Sequence, residues 1–131
     1  MGHQWAAWKL TPRWASGGRD IGWAESVALE LAVLLIVALE FNDCLVTIWG
    51  DNTGVISAFN KGRSRNAHQN DSICCIAAFI IPNNITIFLV YVASAANRAN
   101  PVSCGILGNS SLRVTLPLAL PPELVPYLKN A

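Results

Sequence analysis

Acidic side chains are scarce in this sequence. Only eight of its 131 residues are Asp or Glu, and between Cys44 and Leu120 there are just two, Asp51 and Asp71. Carboxylates hold hard cations and move protons, so the places where a chain this poor in acid keeps them are informative. Asp71 follows Asn70 where a helix should begin, and there a carboxylate complements the helix dipole. Asp51 ends an apolar run over residues 44–49 and precedes a helix, which places it to cap that helix, to bind a cation, or both. Glu25 and Glu30 share one apolar-striped helix but point about 140° apart at ~100° per residue, and each taken singly reads as a solvated position. The other chemistry-bearing groups are weaker. His68 can assist proton transfer but has no partner identifiable from its neighbours. Lys61, Arg63 and Arg65 form a basic, turn-rich segment, either merely solvated or able to contact phosphates without base specificity. Cys44, Cys74, Cys75 and Cys104 lack zinc spacing and read as buried free thiols in a reducing compartment.

Strands and helices must position these groups. Four of the five tryptophans (Trp5, Trp8, Trp14 and Trp23) fall in the first 23 residues, with Pro12 and a Ser16-Gly17-Gly18 turn among them, suggesting a short hairpin rim. Asp20 is placed to cap a helix whose apolar positions (Trp23, Val27, Leu31, Leu34, Leu35, Ala38) recur every three or four residues until Asn42-Asp43 break it. Residues 44–49 are continuously β-prone, the pattern of a parallel strand covered on both faces, and Trp49 reads as core. Val55, Ile56, Ala58 and Phe59 predict a short helix ending near Gly62; a further helix is expected over 69–81 and a second buried strand over 85–92. Asp51 thus lies at a strand's carboxyl end, the edge of an open α/β sheet where ligands gather. Asn97-Arg98-Ala99-Asn100-Pro101 suggests the start of a helix, and the prolines at 117, 121, 122 and 126 predict an extended tail from residue 112 on. The alternation of strand and helix argues for an α/β domain over 1–111 followed by a proline-rich tail over 112–131.

Composition narrows the class. Hydrophobic residues make up 53% of the chain and charged residues 13%, against the ~25% usual in soluble domains, and mean hydropathy is +0.39. Disorder is excluded, and the membrane question follows. The apolar run 31–39 is bracketed by Glu30 and Glu40, short of the ~20 residues a span requires. The longer stretch 73–96 contains Pro82-Asn83-Asn84, which would expose polar backbone and amides to lipid. A buried helix and a strand-helix pair are expected instead, with no membrane partner. The first residues lack a secretory pattern, so an intracellular location is expected. A net charge of +1 offers no general attraction for nucleic acid.

Three blocks, in order, resemble a known family. The run Asp20-Ile21-Gly22-Trp23-Ala24-Glu25-Ser26-Val27-Ala28-Leu29-Glu30-Leu31 looks like the first helix of the ribonuclease H domain of retrotransposon reverse transcriptases, gypsy-like or DIRS-like, where a glutamate follows "I-N-x-L". Ile48-Trp49-Gly50-Asp51-Asn52-Thr53-Gly54-Val55 resembles that family's "T-D-N" strand end. Asn97-Arg98-Ala99-Asn100-Pro101-Val102-Ser103 resembles its closing "N-x-A-D-x-L-S-R", with Cys104 where an arginine is usual. The resemblance covers about residues 5 to 105. It implies a three-layer fold with a mixed sheet and a metal-dependent endonuclease acting on the RNA strand of an RNA·DNA hybrid. Two magnesium or manganese ions about 4 Å apart would be held by acidic side chains, Glu25 and Asp51 among them.

The sequence departs from that pattern twice. The family's first strand carries an aspartate in a "D-A-S-x-x-G-x-G" context, and Gly2-His3-Gln4-Trp5-Ala6-Ala7-Trp8 looks like the strand that follows it, so the resemblance implies a domain lacking that first strand. Asn100 stands where an aspartate is expected. With two of four carboxylates absent, the resemblance implies weak or absent metal binding, impaired catalysis and a pseudoenzyme remnant. The alternative is a non-enzymatic nucleic-acid-binding or structural remnant using Lys61, Arg63 and Arg65. Loss of a central strand also implies an apolar sheet edge prone to self-association.

Overall fold

The computed structural model describes residues 4–99, 107–114 and 119–130. Its elements, in chain order, are β1 (Trp8–Leu10), α1 (Ile21–Ala38), β2 (Cys44–Gly50), α2 (Thr53–Lys61), α3 (Ala67–Ile80), β3 (Ile85–Tyr91) and β4 (Leu128–Asn130). They belong to two units, Ala15–Ala93 and the described residues on either side of it.

In the larger unit, Asp20 caps α1 as expected, its carboxylate accepting the Trp23 N–H at 2.9 Å from an extended backbone. The helix ends at Ala38, and Glu40 and Asp43 adopt positive φ as the chain turns into β2. β2 and β3 pair in parallel from Cys44 opposite Ile85 to Gly50 opposite Tyr91, joined through α2 and α3. α2 stops at Gly62, whose φ of 73° supplies the left-handed cap that a side chain would strain.

All three helices bury against one face of this sheet. Leu29 and Val33 of α1, Val55 of α2 and Ile76 of α3 form the core, closed by Ile48, Ile87 and Leu89 from the strands. The α/β class therefore holds, but burial of the strands on both faces does not. Cys44, Val46 and Ile48 are partly covered, whereas Leu45, Thr47 and Trp49 between them are exposed, and Thr86, Phe88 and Val90 of β3 repeat the pattern. Trp49 is 61% exposed and is not core. The reason is geometric: successive side chains of a strand point to opposite faces, and the helices cover only one. Among the described residues this unit has two layers and a purely parallel sheet, where the resemblance implied three layers and a mixed one.

The second unit corrects two further expectations. β1 pairs antiparallel with β4 and not within an N-terminal hairpin, from Trp8 opposite Asn130 to Leu10 opposite Leu128. The proline-rich end thus contributes a strand. Pro126 precedes that strand, so its missing N–H leaves the ladder intact. Trp5 exchanges backbone hydrogen bonds with Leu112 and Val114, and its indole N–H donates to the Asn109 carbonyl at 2.8 Å. The Arg113 guanidinium lies over the Trp5 ring, 5.1 Å from its centroid. Ser94–Ala96 forms a single 3-10 turn; the helix start expected near Pro101 lies outside the described residues.

Candidate carboxylate site

Two stripes on α1 organise the site. Glu25, Leu29 and Val33 recur at four-residue spacing, and the latter two are core residues facing α2 and α3. Glu25 therefore extends the core stripe by one turn toward the helix start and is half-buried. Asp51, also half-buried, is the first residue beyond β2, at the carboxyl end of the parallel pair.

Asp51 does not cap α2. That role belongs to Asn52, whose side-chain oxygen accepts the Val55 N–H at 3.0 Å. Either neighbouring residue has the chemistry to cap, and the backbone turn selects Asn52. The consequence is electrostatic: the Glu25 carboxyl is pushed above its ordinary range, first by burial and second by the negative charge of Asp51. The negative charge of Asp51 therefore reaches Glu25, the other acidic residue that the resemblance marks.

Other candidates fall elsewhere. Lys61, Arg63 and Arg65 are exposed where α2 runs into the following loop. His68 has a partner after all, the Gly17 carbonyl, and Asn66 donates to the Gly18 carbonyl at 2.9 Å, so both tie the start of α3 to the glycine turn before α1. Asn100 and Cys104 lie outside the described residues. Cys44, Cys74 and Cys75 are free thiols, and none of the three is buried as expected: Cys44 and Cys75 are half-buried and Cys74 is exposed on α3.

Glu30 overturns its reading as a solvated residue. It is 2% exposed, and its Oε1 accepts the Ser72 hydroxyl at 2.6 Å. One turn earlier, Ser26 donates to the Gly22 carbonyl at 2.9 Å and accepts from Gln69 Nε2 at 2.9 Å. Gln69 Oε1 in turn accepts the Ser64 hydroxyl. These side chains make a buried polar seam between α1 and α3. Its signal was present as Gly22, Ser26 and Glu30 at spacings of four and as Gln69 and Ser72 at a spacing of three, each set lying on one helix face.

No protein-family model matches this chain, and comparison with curated proteins and with solved structures finds no match.

Proposed function

We propose that the chain is a degenerate ribonuclease H-like domain of retroelement origin, in which Glu25 and Asp51 form a partial site for one divalent cation. Its ancestral reaction is hydrolysis of the RNA strand of an RNA·DNA hybrid. The observation that supports the cation site is the electrostatic coupling of Glu25 to Asp51 at the carboxyl end of β2. Two half-buried carboxylates that repel one another are a hard-oxygen donor set whose repulsion a magnesium or manganese ion relieves. Among the described residues no group of three or more His, Cys, Asp or Glu comes together. Two carboxylates alone would hold an ion weakly and would not form a closed cage.

When bound, such an ion supplies Lewis-acid polarisation of a phosphoryl oxygen. Glu25 and Asp51 are the residues of this chain that would hold it. Because Glu25 keeps its proton more tightly than an ordinary glutamate, binding releases that proton and strengthens as pH rises. Exposed Lys61, Arg63 and Arg65 supply phosphate contacts for a hybrid. This exposure also favours the second reading, a remnant that binds nucleic acid without cleaving it.

The test is manganese binding by the full chain, followed by water-proton relaxation, alongside hybrid cleavage. Weak binding that Asp51→Asn abolishes and Asn100→Asp tightens is expected, with little cleavage by the unaltered chain. Absence of binding in both the unaltered chain and Asn100→Asp refutes the site. Hybrid binding without cleavage in every variant, lost when Lys61, Arg63 and Arg65 become alanine, selects the second reading.

A further inference from the structure

The helix-free face of the β2–β3 sheet carries Leu45, Thr47 and Trp49 on one strand and Thr86, Phe88 and Val90 on the other. Leu45 is 60% exposed and Phe88 56%, close to the value for Trp49. The register sets Thr47 beside Phe88 and Trp49 beside Val90, so large side chains alternate diagonally with small ones across the pair. None of the six is charged. Parallel sheets are ordinarily covered on both faces, and these residues have the composition of a covered face.

We infer that this face is a self-association surface, on which a second copy of the chain stacks its own β2–β3 sheet. A fully open aromatic side chain presents about 150–250 Å². Two half-exposed rings with Leu45, Val90 and the threonines therefore offer on the order of 500 Å² per copy, comparable to the largest apolar patches on monomers. Two such faces bury about 1,000 Å² in total, the lower bound for a specific interface and typical of a reversible one. A neutral face brings no like charges together across a two-fold axis, and alternating large and small side chains allow two sheets to interdigitate at ~10 Å. Edge-to-edge addition of strands satisfies backbone groups but leaves the rings of both copies on one open side, doubling the apolar patch. Stacking removes it. The surface is separate from the Glu25–Asp51 pair, and the inference does not depend on the metal reading.

The test is sedimentation velocity on the full chain from about 1 to 100 µM, the range in which a weak interface converts from monomer to dimer. The unaltered chain is expected to shift from monomer to dimer. Thr47→Lys and Thr47→Glu, substitutions at an exposed position on that face, are each expected to weaken dimerisation at least ~10-fold with unchanged circular dichroism. Mixing the two variants restores a heterodimer. A chain that stays monomeric at the highest concentration overturns the inference, as does a dimer unaffected by either charge. Protection of Trp49 from a fluorescence quencher in such a monomer assigns the face to another segment of the same chain.

Discussion

The carboxylate of Asp51, at the end of β2, raises the proton affinity of Glu25 in the second turn of α1, adding to the larger effect of burial. Asp51 is left for this role because Asn52 caps α2 in its place.

A pH dependence of stability follows. The folded chain holds the Glu25 proton more tightly than the unfolded chain, so the contribution is fully present below the ordinary value of 4.5 and is lost as pH rises through the higher folded value. Glu25→Gln removes that loss. Its melting temperature should exceed that of the unaltered chain at about pH 7, and the difference should close toward about pH 4. Asp51→Asn removes the smaller cause only, so Glu25 should titrate closer to its ordinary value, as read by carboxyl NMR.

The cap assignment is tested by adjacent substitutions. Asn52→Ala should destabilise the fold by about 1 kcal/mol, the usual loss for a side-chain cap. Asp51→Ala removes no cap and relieves repulsion at Glu25, so it should not show that loss. Equal destabilisation by both in urea denaturation would mean that Asp51 shares the cap.

The α1–α3 seam makes a third prediction. Ser72 is 3% exposed and donates to a buried carboxylate. Ser72→Ala should cost about 1–3 kcal/mol, because a buried acceptor loses its donor. A surface serine such as Ser57 should be replaceable by alanine within about 0.5 kcal/mol. Chemical denaturation of the two variants side by side provides the comparison.

Local signals carried far along this chain. Asp20 and the apolar spacing after it marked α1, Gly62 marked the end of α2, and the β-prone runs over 44–49 and 85–92 became a parallel pair. Asp51 stood out because acid is so scarce between residues 44 and 120, and Glu25 only through the resemblance of its helix to a known family. These features depend on neighbouring residues, on the period of a helix, or on backbone preferences that a sequence displays directly.

What required the tertiary structure was the identity of each partner. A strand that is apolar but for Thr47 shows little alternation, so the placement of the helices decided that Ile48 is covered and Trp49 is open. Glu30 looks like any helical glutamate until Ser72 meets it from a distant segment, and the strand Leu128–Asn130 has no local reason to exist without Trp8–Leu10 beside it. The low charge content of 13% belongs to both levels. Composition determined that a large apolar surface had to be buried, while the packing of α1, α2 and α3 decided which face of the sheet they buried and which they left open.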